Sequence, residues 1–176
     1  PDEVDDGAPK LEALDETKND ILFHNDLNKA DGLDIQGEAK LENGVVTMNN
    51  NGFINLGSDM LKGKKDVTIE FVIKPDKIVE HAGIMGLGNS GEAGDGKNWM
   101  VIGMRGDGAL KFGMRTADDN EVGAQDAGKT EAGVLKAGEW TTVKYVFTAE
   151  KVEVYANGKF LKDWDVSNNK TIGEIG

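Results

Sequence analysis

The sequence predicts an all-β domain, a two-sheet antiparallel β-sandwich, and three observations point there. Short apolar runs recur along the chain, separated by Gly, Asn and Asp at the spacing of a sandwich or barrel. The 24 glycines against 3 prolines imply many tight turns. Beyond the first residues, no segment sustains a helical apolar period. At 176 residues, one core can bury roughly 70% of the unfolded surface, so no covalent staple is needed.

Residues 1–19 are acidic and thinly apolar, and read as a solvated tether with a short helical turn near Leu11–Leu14. Residues 20–176 read as the domain. Its first strands are expected near Ile21–Phe23, Leu33–Ile35, Val45–Met48 and Phe53–Leu56. The run from Val67 sets Val67, Ile69, Phe71 and Ile73 on one face, and Pro75, which has no backbone donor, ends it. Strands Ile84–Leu87 and Trp99–Met104 follow, separated by a glycine-rich loop, 88–98, of the length that serves as a binding rim. Ala109–Arg115 leads into a second polar loop, 117–138. Strands Thr141–Thr148, Val152–Tyr155 and Lys159–Trp164 complete the set, the last two joined by Asn157-Gly158, the strongest two-residue hairpin signal.

Composition excludes several functions. A formal charge of −12 opposes nucleic acid or an anionic membrane as partner, since both require a basic footprint. The absence of cysteine removes disulfides, thiol nucleophiles and zinc-thiolate sites. No apolar run is long enough to span a membrane. The chain begins at Pro1, as expected of a processed N-terminus whose export signal has been removed.

The two arginines of the sequence, Arg105 and Arg115, lie in one hairpin around Gly106-Asp107-Gly108. Side-chain parity fixes its register. Met100, Ile102 and Met104 on one strand and Leu110, Phe112 and Met114 on the other form the natural buried set. Trp99, Val101, Gly103 and Arg105 then face outward with Lys111, Gly113 and Arg115. Those outer sets share a face only if the loop holds an odd number of residues, which suits a three-residue loop with Gly108 left-handed. The resulting pairs are 103 with 111, 101 with 113 and 99 with 115, so Trp99 stands beside Arg115 over a surface lowered by Gly103 and Gly113. A tryptophan to stack on and a guanidinium fork suit a sugar, although a cation–π pair decorating a solvated face uses the same residues. Asn89 and Asn98 in the adjoining loop join Trp99 and Arg115 as candidate glycan contacts. Arg105, near the tip, is an outer candidate that also reads as a solubilising charge.

Several stretches, in order, resemble the laminin-G-like and concanavalin A-like lectin/glucanase superfamily of secreted bacterial type. They are Leu22-Phe-His-Asn-Asp-Leu-Asn-Lys-Ala-Asp-Gly, Gly52-Phe-Ile-Asn-Leu-Gly, Asp66-Val-Thr-Ile-Glu-Phe-Val-Ile-Lys-Pro-Asp, Ile84-Met-Gly-Leu-Gly-Asn, Gly138-Glu-Trp-Thr-Thr-Val and Val154-Tyr-Ala-Asn-Gly-Lys. The resemblance implies a concanavalin A-like jelly roll whose concave face or loop rim binds glycans, often with a structural calcium, and the expected role is a non-catalytic carbohydrate-binding domain of an extracellular, cell-surface or periplasmic protein. A weaker similarity is to the sialic-acid-binding modules of bacterial sialidases. There Arg115 matches the ligand arginine and Asn98-Trp99 an Asn-x-aromatic element. The chain departs at Gly113, where those modules usually place a glutamate, and their second ligand arginine lies on a later strand, past Gly176. Relatives also close the sandwich with a further strand.

Other chemistry is weaker. Asp26, Asn28, Asp31 and Asp34 cluster around a glycine as weak calcium candidates, as do Asp95, Asn98, Asp118, Asp119 and Asn120 in the long loops, without the spacing of a regular calcium loop. The carboxylate motif of the related glucanases is missing, although a glycoside hydrolase with acids on separate strands stays open as the alternative. A protein-interaction or adhesion module is the other, given Arg105-Gly106-Asp107. His24 and His81 read as surface or turn residues, Trp140 as a core-edge residue and Trp164 as either core or rim. Asn169-Lys170-Thr171 is a glycosylation acceptor only in a source that glycosylates.

Overall fold

The structure is a computed structural model that describes residues 7–12, 21–27, 29–88, 97–116, 120–123 and 125–175. The chain divides into two compact units, one of residues 1–6 and 12–60, the other of residues 7–11 and 61–176. The division falls inside the stretch read as one domain. Most of the expected tether, with Ala13 and Leu14 of its helical turn, lies outside the described residues, and Leu11 and Glu12 are irregular.

The first unit holds two small antiparallel pairs. Strand β1 (Asp34–Gln36) pairs with β4 (Phe53–Asn55), and β2 (Lys40–Glu42) with β3 (Val45–Thr47). Ile21–Phe23, expected as a strand, is irregular. Its apolar run is too short to show whether a partner strand exists, and pairing, not propensity, makes a strand.

The second unit is a two-sheet antiparallel sandwich. Strands β5 (Val67–Ile73), β10 (Thr141–Phe147), β11 (Lys151–Ala156) and β12 (Lys159–Asp165) form one sheet in the order β12-β11-β10-β5. Strands β6 (Gly83–Gly88), β7 (Trp99–Met104), β8 (Leu110–Arg115) and β9 (Glu121–Val122) form the other, in sequential order. Alternation explains the layers. Val143, Tyr145 and Phe147 of β10 and Val152, Val154 and Ala156 of β11 point inward against Met100, Ile102, Leu110, Phe112 and Met114 of the facing sheet. Burial of each large apolar side chain contributes about 1.5–3 kcal/mol.

Phe112 is the hub of the core, 5.9 Å from the Phe147 ring, edge-on, and 5.0 Å from Trp164, both across the sandwich. Trp164 is thus a core residue, and its Nε1 donates to the Ala127 carbonyl at 2.7 Å. Trp140 is half-buried at the start of β10, with the Lys74 ammonium 5.0 Å above its ring. The Tyr145 hydroxyl crosses between the sheets to donate to the Lys111 carbonyl at 3.1 Å.

The stretch expected as a polar loop at 117–138 is in part structural. Residues 117–119 and 124 lie outside the described residues, whereas Glu121–Val122 forms β9 and the chain then runs along β8. Thr130 N–H donates to the Leu110 carbonyl at 2.9 Å, Gly133 N–H to that of Asp107 at 2.9 Å and Leu135 N–H to that of Gly108 at 2.8 Å. Leu135 is buried, so the segment covers what would otherwise be an exposed sheet edge.

Candidate functional site

The hairpin of β7 and β8 has the register that parity requires. Trp99 pairs with Arg115, Val101 with Gly113 and Gly103 with Lys111, while Met100, Ile102, Met104, Leu110, Phe112 and Met114 are buried. Arg105 N–H donates to the Ala109 carbonyl at 3.0 Å and Gly108 N–H to the Arg105 carbonyl at 2.9 Å, closing a three-residue loop. Gly108 has φ of 80°, the left-handed conformation that such a loop demands.

Neighbouring strands extend the outer face into rows. Gly88, Trp99, Arg115 and Glu121 are successive cross-strand partners from β6 to β9. Gly86, Val101 and Gly113 form the next row, and Gly83, Gly103 and Lys111 another. Five glycines therefore pave this face. At Gly83 nothing lies within 4 Å of where a Cβ would stand, and at Gly86 the nearest atom is the Met100 carbonyl oxygen at 3.6 Å, so the floor is low and open at these two positions, whereas backbone of Asn98 and Trp99 closes on Gly88 and the Ala82 carbonyl on Gly103. The indole of Trp99 lies over Gly113, its Cζ3 3.0 Å and its Cη2 3.3 Å from the place of a Cβ there. Trp99, Val101 and Arg115 are half-buried and Glu121 is exposed.

The opposite end of the hairpin is locked. Arg105 Nε donates to Glu80, which also accepts from the Gly106 N–H. Asp126 stands 3.9 Å from the same guanidinium, whose Nη1 donates to the Gln125 carbonyl at 3.4 Å. The Arg105 side chain is 15% exposed, against 47% for Glu80. The Gly106 hydrogen bond first, then Arg105, holds the Glu80 carboxyl below its ordinary range despite some desolvation. Asp107 is similarly lowered by the Ala109 N–H and by Lys129, whose Nζ lies 3.2 Å away. Arg105 is thus part of a structural ion-pair network rather than a solvated charge. Six residues along β7, roughly 20 Å, separate it from Trp99. Both charges of the Arg105-Gly106-Asp107 tripeptide are engaged within the fold.

Comparison with known proteins fixes the family. Residues 48–171 match a model of laminin-G type described as concanavalin A-like lectin/glucanases superfamily. The chain belongs to this superfamily. A search of curated protein sequences found no match. Two solved structures share the fold of this chain. The CBM40 module of the Ruminococcus gnavus IT-sialidase, bound to α2,3 sialyllactose, has a TM-score of 0.50 at 18% identity, covering 63% of this chain and 58% of that one. Domain 4 of AbnA, a GH43 extracellular arabinanase from Geobacillus stearothermophilus in complex with arabinotriose, has a TM-score of 0.55 at 15% identity, covering 80% and 60%. The chain spans about three-fifths of the length of each.

The calcium that the superfamily resemblance allows finds little support in the expected residues. Asp34 accepts from Gln36 and, at 3.1 Å, from Asn55, while the Asn25 amide donates to the Asp31 backbone carbonyl at 3.3 Å. Asp26, Asp31 and Asp34 are all exposed, and Asn28 lies outside the described residues. Among the described residues no three His, Asp or Glu side chains gather as metal ligands.

Of the expected glycan contacts, Trp99 and Arg115 come together, Asn98 precedes Trp99 at the mouth of β7, and Asn89 lies outside the described residues. His24 and His81 are exposed, His81 with its Nε2 3.3 Å from Glu80. Thr171 is occupied by Glu174, and the Asn169 Oδ1 is buried, which leaves that sequon poorly presented.

Sequence reasoning missed Glu121 and the floor over β6. Glu121 sits in a two-residue strand with no alternation to announce it. The floor was legible in the Gly83-Ile-Met-Gly86-Leu-Gly88 spacing, where period-two parity puts Gly86 and Gly88 on the side of Trp99 and Val101.

Proposed function

We propose that this chain is a non-catalytic carbohydrate-binding domain of a secreted or surface protein, which takes a glycan on the outer face of the β6–β9 sheet. The observation that carries the reading is the half-buried indole of Trp99 beside Arg115 over a glycine-paved floor. A sugar ring presents C–H groups on its faces and hydroxyls around its rim. An anchored aromatic serves the first and a guanidinium fork the second. The floor leaves room for a ring to lie beside the indole rather than above a crowded sheet. The structural neighbours support the same reading, since both are carbohydrate-binding domains solved with oligosaccharides.

The test is a glycan array carrying arabinotriose, lactose and 3′-sialyllactose, probed with the wild type, Trp99→Ala and Arg115→Ala, in calcium and in chelator. Saturable binding that both substitutions weaken supports the reading, and the chelator arm shows whether any ion is needed. Binding to no glycan in either arm would overturn it.

A further inference from the structure

Glu121 stands directly across from Arg115 on the outer face, because β8 and β9 pair in that register. Directly opposed residues of an antiparallel pair hold their Cβ atoms about 4.5–5.5 Å apart. The guanidinium that would meet a ligand therefore has a carboxylate side chain as its cross-strand neighbour. We infer that Glu121 makes this face selective for neutral sugars over acidic ones, a refinement that rests on the glycan reading above.

The reasoning is electrostatic. A sugar carboxylate arriving at Arg115 would be brought beside Glu121, and like charges at that separation repel each other. A hydroxyl has no such conflict. It can accept from the guanidinium and donate to the carboxylate, so the pair suits uncharged hydroxyls and opposes anions.

Two other described cations of the face do not reverse this. Lys111 is four residues from Arg115 along β8, about 13 Å, beyond the distance over which exposed charges act in physiological salt. Arg105 is occupied by Glu80 and Asp126. The chain as a whole carries −12, which adds a long-range bias against anions.

Glu121→Gln removes the charge and keeps the shape, and at an exposed position it leaves the fold intact. The experiment compares lactose with 3′-sialyllactose, and arabinotriose with trigalacturonate, for wild type and Glu121→Gln at low and physiological salt. Wild type is expected to bind the neutral members, with little salt dependence, and to disfavour the acidic ones. Glu121→Gln should raise acidic binding relative to neutral by about three- to five-fold, most at low salt. Tighter wild-type binding to the acidic member of a pair, or an unchanged ratio in Glu121→Gln, would overturn the inference while leaving the glycan reading intact. Binding to none of the four sugars removes both.

Discussion

The indole of Trp99 rests on Gly113, its cross-strand diagonal neighbour, closely enough that a methyl group there would meet Cζ3 at 3.0 Å. Glycine at 113 thus sets the height and tilt of the aromatic ring. Gly113→Ala should tip the indole by a few tenths of an ångström and lower glycan affinity several-fold. Because the contact is with a side chain at the sheet surface, the loss of stability should stay under about 1 kcal/mol. Binding and thermal unfolding measured on the same protein check this. An unaltered affinity would show that the ring's position is immaterial.

Glu80 makes stability depend on pH in a defined direction. Its carboxyl is held below the ordinary value of 4.5 by the Gly106 N–H and by Arg105. A lowered carboxylate contributes stability that is present above its unfolded value and is lost as pH falls through its folded one. Unfolding followed between about pH 7 and about pH 3 should therefore show a steeper acid loss for the wild type than for Glu80→Gln. The two curves should converge at the acid end, where Glu80 is protonated. Parallel curves would mean that the network contributes nothing to stability.

Tyr145 joins the two sheets by its hydroxyl, and burial pushes its phenol far up, so it stays protonated. Tyr145→Phe keeps the ring and leaves the Lys111 carbonyl without its donor. The expected cost is about 1 kcal/mol, read by denaturant unfolding. No cost would mean that another donor takes over the carbonyl.

Where alternation is long and unambiguous, the sequence is sufficient. Between residues 99 and 115, alternating Met, Ile, Leu and Phe admit one register once Arg105 is kept out of the core, and that register is the one found. Trp164 reads as core or rim alike because its surroundings, Phe112 and the Ala127 carbonyl, come from residues 37 or more positions away. The same holds for Arg105, whose partner Glu80 lies 25 residues earlier. The stretch 125–135 resembles a loop because its composition is polar and glycine-rich. Backbone hydrogen bonds to β8 hold it, and these leave little trace in side-chain pattern. Strands as short as β2 and β9 have no period to read.

The most direct measurement is the affinity of wild type, Trp99→Ala and Phe160→Ala for the neutral oligosaccharides on the array, arabinotriose and lactose among them. Phe160 is 48% exposed on the outer face of the other sheet and serves as a matched aromatic control. The expected result is saturable binding that falls about tenfold or more in Trp99→Ala, an aromatic-stacking loss of about 1.4 kcal/mol or more, and holds in Phe160→Ala. Binding that survives Trp99→Ala, or that falls equally in Phe160→Ala, would contradict the placement of the glycan on the Trp99–Arg115 face.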